Sequence, residues 1–362
     1  MSNLNNVEVI WPGDRCTFAA YMEQALYHPQ AGYYHQARIG EGGDFFTSPH
    51  LGPDFGELLA EQFVRFWQQL GQPQPFTLVE MGAGRGLLAL DILRRLHSHH
   101  PDLLASLDYV IIEKAAGLVQ YQRQLLRDWP MVSWHSWEEM TPVVGCYFAN
   151  ELIDAFPVHL VTVHRSQLQE IYLNLVDGQI QEEVGLVSTP RLREYFAWLG
   201  IDIASYPECY RSEVNLAALD WLAMVAGGLQ RGYILTIDYG YSADRYYSRE
   251  RHQGTLQCYY RHRHHNNPYL YPGQQDITAH VNFTALERHG QTLGLTSHGL
   301  TKQALFLMEL GLGDRLANLG QGEETATAAQ VLEIIRRRQA LHQLIDPSGL
   351  GGFGVLLQSK NL

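Results

Sequence analysis

The sequence predicts an α/β fold: a Rossmann-like sheet with helices on both faces, carrying an inserted, mainly helical subdomain on its ligand side. Three observations predict it. Short apolar or β-branched segments recur at Leu78–Val79, Leu107–Ile112, Cys146–Ala149 and Tyr233–Ile237, and each runs toward an acid or an asparagine: Glu80, Glu113, Asn150 and Asp238. Helically spaced apolar stretches follow the first two, the alternation of a parallel sheet crossed by helices. Between Val158 and Gly232 the pattern changes to a strand pair and two helical stretches, as an insertion would.

The bulk properties suit that fold. A chain of 362 residues holds one such domain with insertions. With 46% hydrophobic and 18% charged residues it reads as soluble and globular, and no apolar run approaches the ~20 residues of a membrane helix. A formal net charge of -12 argues against a broad nucleic-acid surface. Cys16, Cys146, Cys209 and Cys258 form no C-x-x-C pair, so reduced thiols are expected rather than a disulfide frame or a metal site. The start, Met1–Glu8, has neither a secretory signal nor an Arg-rich presequence, and the expected location is cytoplasmic.

Four parts follow in order. Residues 1–70 read as a helical cap and a closing loop: Phe18, Tyr21, Met22, Ala25 and Leu26 recur at helical spacing before His28-Pro29. The Gly- and Pro-rich run Gly40–Gly56 leads into a helix from Glu57, and it is expected to close over a cofactor through Gly52, Phe55 and Gly56. Residues 71–157 form the ligand-binding core, 158–232 the insertion, with a hairpin turn at Asp177-Gly178, and 233–362 the rest of the sheet. The stretch Ser242–Gly273 reads as a long polar loop with little regular pattern; its Arg261–His265 cluster lacks a second group at metal-ligand spacing.

The core turns on Thr77–Gly86, where Glu80 ends a strand and Gly82, Gly84 and Gly86 alternate before a helix from Leu87 to Leu96. A tight reversal with a ligand against the backbone needs glycine, and the helix start offers free N–H groups. The spacing E-x-G-x-G-x-G is not the dinucleotide fingerprint G-x-G-x-x-G. It resembles the first motif of class I S-adenosylmethionine methyltransferases, which implies that the glycines hold the methionine end of that cofactor and Glu80 orients its amino group. Glu113 lies at the tip of the next strand, 31 residues beyond Gly82, where such folds bind ribose hydroxyls. The fourth strand delivers Asn150, Glu151 and Asp154 to the same edge.

Phe46–Gly56, Glu80–Gly86, Asn150–Pro157 and Gly273–Thr284 together resemble the MidA family, with similarity spread from about Thr17 to Leu357. This is the family of the mitochondrial complex I assembly methyltransferase. The resemblance implies an S-adenosylmethionine site and, by extension, methylation of arginine in a protein substrate, a respiratory complex I-type subunit. Arginine stays protonated and repels a sulfonium, so a carboxylate should pair it, orient one nitrogen and take the departing proton. Glu151 and Asp154 are assigned that role, Asn150 the methionine end, and His280 stands as a weaker candidate base. Asn150-Glu151 in place of Asn-Pro-Pro-Tyr argues against adenine or glutamine as acceptor. No metal is required. A small-molecule acceptor, a non-catalytic assembly role and a homodimer stay open.

Overall fold

The computed structural model describes residues 4–35, 47–261, 263–319 and 327–362. A seven-stranded sheet forms the centre. Its strands, numbered in chain order, are β1 Phe76–Met81, β2 Leu107–Ile112, β3 Val132–Trp134, β4 Val143–Asn150, β5 Leu229–Asp238, β6 Thr296–Lys302 and β7 Gly354–Lys360. They lie side by side as β3-β2-β1-β4-β5-β7-β6. The first five pair parallel, and β7 runs antiparallel between β5 and β6. The order reverses between β1 and β4, the place along the carboxyl edge where open α/β sheets collect ligands.

Both faces are covered, which explains why every residue of β1 is buried. Leu78 packs on one side with the helices Asp54–Gln69 and Leu87–His99; Val79 packs on the other with Leu216–Gly228 and Phe283–Thr292. The long gap between Gly82 and Glu113 is helical: Leu87–His99 is followed directly by Pro101–Ser106.

The insertion differs from expectation. It is built on strands His159–His164, Gln167–Val176, Gln179–Gly185 and Arg211–Val214, with Arg191–Leu199 as its own main helix. The second expected helix, Leu216–Gly228, covers the central sheet instead. The third strand is almost wholly exposed and polar, so it carries no hydrophobic alternation to read. The turn before it matches the reading: Asp177 and Gly178 both adopt positive φ, 49° and 75°, between paired Val176 and Gln179.

Nor are the first 70 residues a separate cap. Arg15–Thr17 pairs with Tyr172–Asn174 and joins the insertion's sheet. The helix Phe18–Tyr27 buries the five predicted residues against Leu160, Ile171 and Leu173 of the insertion and Cys258 and Ile277 beyond β5. The stretch Ser242–Gly273 is also more ordered than predicted: Gln257–Tyr260 pairs with Arg263–His265 and with Asp276–Thr278. Edge strand β6 escapes prediction for the same reason as the exposed insertion strand.

Candidate active site

Two cavities meet at the carboxyl edge of β1, β4 and β5. The first is a narrow cleft of about 120 Å³ along the glycine turn, lined by Glu80, Gly82, Gly84, Glu113 and Asn150 and covered by Tyr27, Tyr34, Thr47, Pro49 and His50. Gly84 sits at φ 53° with open space where a Cβ would project. At Gly82, φ 72°, a Cβ would strike Leu152 at 2.6 Å. The turn closes with the Gly86 amide donating to the Ala83 carbonyl at 2.8 Å, and Gly86 starts the helix at φ 77°. Glu80 is buried, and burial pushes its carboxyl up to about 7 while Tyr109 donates to it at 2.6 Å. Glu113 is likewise raised by burial; it accepts from the Ala115 amide at 3.0 Å and from Gln122 at 3.3 Å. The buried Asn150 Oδ1 has no hydrogen-bond partner. A buried orphan acceptor, a carboxylate at the strand tip and a bare glycine turn fit the amino, ribose and methionine portions of S-adenosylmethionine.

The second cavity is a chamber of about 1010 Å³ that shares Tyr34 and Glu151 with the cleft. Glu151, Asp154 and Asp276 line it among Tyr239, Tyr241 and Tyr259. Glu151 follows β4 at φ 51°, a left-handed conformation that costs a non-glycine residue about 1–3 kcal/mol. Its amide donates to the Ile237 carbonyl at 2.9 Å, which holds the reversed backbone. Its Oε1 accepts from the Ser48 amide at 3.3 Å and from Asn150 Nδ2 at 3.2 Å. Burial, then the neighbouring Asp154, raises the Glu151 carboxyl to about 8.

Asp154 is raised to about 6, first by burial, against a hydrogen bond donated by the Tyr239 hydroxyl; its other oxygen has no partner. Beneath them Asp238, fully buried, accepts from the amides of Ile153 at 2.9 Å and Tyr239 at 2.8 Å and fixes both loops; burial and the two carboxylates raise it as well. Tyr34 crosses above and donates to Asp276 at 3.0 Å. Three acids gathered on one wall make a receptor for a cation.

The sequence candidates fall unevenly into this frame. Glu80, Gly82, Gly84, Glu113, Asn150 and Glu151 line the cleft, and Glu151, Asp154 and His280 line the chamber. Gly86 shapes the turn from behind, against Gln122. Gly52, Phe55 and Gly56 do not line the cleft and are corrected: the helix already begins at Asp54, so Phe55 points into the sheet core and Gly56 packs against Asp91. The preceding residues Thr47, Pro49 and His50 line it instead. Gly40–Phe46 of that motif and His262 of the Arg261–His265 cluster lie outside the described residues.

His280 is stacked on Tyr241 with ring centroids 4.9 Å apart, and burial lowers its imidazole to about 4, so it is neutral. Among the described residues no cluster of three or more His, Cys, Asp or Glu could hold a metal ion.

Sequence reasoning left Asp276 open as catalytic or structural, and it forms a chamber wall; it missed three contributors: Tyr34, Tyr239 and Gln122. The last is fully buried and ties the Gly84 carbonyl (2.7 Å), Glu113 and the Trp134 indole (2.8 Å) together. Its signal was present: Gln122 sits four residues from both Leu118 and Leu126, a polar side chain on the buried face of its helix.

Known proteins resemble this chain along most of its length. Residues 58–301 match the family described as "Putative S-adenosyl-L-methionine-dependent methyltransferase". The Homo sapiens protein named "Protein arginine methyltransferase NDUFAF7, mitochondrial" is 28% identical, over 96% of this chain and 81% of the relative. Its Mus musculus counterpart is 30% identical, over 83% of this chain and 72% of its own. A crystal structure of a Burkholderia thailandensis protein bound to S-adenosyl-homocysteine superposes with a TM-score of 0.85 at 30% identity, covering 99% of this chain and 93% of that one. These relatives also correct one expectation: the curated ones are named as mitochondrial, which overturns the cytoplasmic location read from the N-terminus.

Proposed function

Because the chain belongs to the family of S-adenosyl-L-methionine-dependent methyltransferases, with that molecule as its cofactor, we propose that the acceptor of the methyl group is an arginine side chain of a protein. The observation that carries this reading is the chamber. It places Glu151, Asp154 and Asp276 among tyrosine rings and opens onto the cofactor cleft where Glu151 stands. A planar cation fits there: carboxylates can pair its N–H groups two at a time, and aromatic faces favour its charge. The curated relatives named as protein arginine methyltransferases support it. The MidA resemblance suggests a subunit of a respiratory complex as the acceptor.

When bound, the cofactor supplies a methyl group on a sulfonium that is already an activated leaving group. The chain's contribution is alignment and proton handling, and alignment of this kind is worth ~7–11 kcal/mol. In the proposed step the ionised Glu151 pairs the guanidinium, turns one nitrogen toward the cleft and takes the proton that nitrogen sheds. Asp154, fixed by Tyr239, holds a second nitrogen through its unpartnered oxygen. Asn150 Oδ1, buried without a partner, would accept from the amino group of the cofactor's methionine end.

The test is transfer from labelled S-adenosylmethionine into a lysate of cells lacking the protein, followed by amino-acid hydrolysis. Label in methylarginine is the expected result. Label recovered only in small molecules, or in another amino acid, would defeat the arginine reading.

A further inference from the structure

Charge in the chamber is sorted by depth. The three carboxylates that line it belong to the floor, and Asp276 is almost completely buried. The lining residues that are both charged and exposed are cations, Arg245 and Lys302. Arg245 comes from the short helix Ala243–Tyr246 and lies 4.6 Å over the Tyr241 ring; its exposed neighbour Asp244 does not line the cavity. Lys302 ends β6 and is held by donating to the Gly352 carbonyl at 2.8 Å. Two elements far apart in sequence thus bring two cations to one mouth.

They are close enough to disturb each other: burial, then the Arg245 guanidinium, lowers the Lys302 ammonium. Among the described residues neither cation has a carboxylate partner. Two like charges held together without a counter-ion form an anion receptor, and this one stands outside an acidic pocket.

We propose that Arg245 and Lys302 select the acceptor segment, favouring protein segments in which an acidic side chain accompanies the target arginine. The segment enters with its cation on the acidic floor and its anion on the basic rim, and a segment of opposite pattern is repelled at both levels. This rests on the arginine reading above and adds to it the chemistry of the flanking residues.

The experiment uses the full chain and three peptides with one central arginine, flanked by Asp and Glu, by Asn and Gln, or by Lys. Methyl transfer from labelled S-adenosylmethionine is measured for each, and peptide binding to the protein loaded with S-adenosyl-homocysteine is followed separately by fluorescence anisotropy. The wild-type protein should favour the acidic peptide over the amide peptide by roughly 5- to 20-fold in kcat/KM, less at high salt. Arg245→Glu with Lys302→Glu should reverse the order and bring up the Lys-flanked peptide. Arg245→Gln alone, which leaves the Lys302 contact to Gly352 intact, should narrow the preference.

Equal transfer into acidic and amide peptides would overturn the rim proposal and leave the arginine reading standing. Acid-selective binding that Arg245→Gln weakens, without transfer into arginine, would do the opposite. Neither selective binding nor transfer would remove both.

Discussion

The two cavities are neighbours built on opposite plans. The cofactor cleft draws most of its floor from a few unbroken stretches: β1 with its glycine turn, the tip of β2 and the end of β4. What it offers is a bare glycine turn and side chains at strand ends, placed by the sheet register that sets Glu80 beside Phe148 and Asn150 beside Ile237. The chamber proposed for the acceptor is gathered from residues as distant as Tyr34 and Phe353, and what it offers is side-chain charge and rings. A site of the first kind constrains the residues that make it to glycine and to strand ends. A site of the second kind constrains chemistry but leaves spacing free.

That contrast gives separable expectations. The largest effect should come from Gly84→Val. A β-branched side chain is disfavoured at φ 53° and would project into the open cleft, so S-adenosylmethionine affinity should drop by about 100-fold or more in calorimetry. A folded Gly84→Val protein with unchanged affinity would remove the turn from the cofactor site.

Glu151→Gln should act chiefly on transfer, slowed ~10²- to 10⁴-fold, while cofactor affinity, which depends on the neighbouring turn, changes far less. Equal turnover would take Glu151 out of the mechanism. The pH profile sharpens the same point. In the proposed step Glu151 acts as a carboxylate, and its carboxyl is raised to about 8, so kcat/KM should climb with pH and level off above that value. The glutamine variant should lose that limb.

The sign for stability is the reverse. The folded state keeps a proton that the unfolded chain releases above its ordinary 4.5, so the free protein should lose stability as pH rises from there toward 8.

The smallest effect should come from outside both cavities. Asp54, buried at the start of its helix, accepts from Arg315 at 2.7 Å and from Arg337 at 2.8 and 2.7 Å. Burial opposes its ionisation, and these two guanidinium groups hold its carboxyl below the usual range. Asp54→Ala should cost about 1–3 kcal/mol in denaturant unfolding and leave the flank preference of the acceptor unmoved.

What could be read from the sequence follows the same division. Apolar runs ending at an acid or an asparagine announced β1, β2, β4 and β5, and the glycines after β1 announced the ligand turn, because a strand buried on both faces must be continuously apolar and a ligand turn must be free of Cβ atoms. Glu151 was legible as the residue after a strand end. Its left-handed φ was not, since nothing in Asn150-Glu151-Leu152 requires it. Tyr34 and Asp276 stand 242 positions apart, and no local pattern marks residues that meet only through the fold. The errors were local as well. The helix start was placed at Glu57, three residues late, which left Phe55 and Gly56 in the closing loop, and strands such as β6 gave no periodic signal because their residues are mostly exposed.

The N-terminal lacing bears on how the protein is made. Arg15–Thr17 pairs with Tyr172–Asn174, the Tyr21 hydroxyl donates to the Pro268 carbonyl at 2.9 Å, and Tyr34 meets Asp276. A chain leaving the ribosome N-terminus first therefore exposes Phe18, Tyr21 and Met22 long before their partners are synthesised. The cofactor strands β1 to β4 are complete by Asn150, but the chamber lining at Asp276 and Phe353 waits for more than a hundred further residues. Translation thus finishes the cofactor strands first, and the earliest segment to emerge is among the last to find its place.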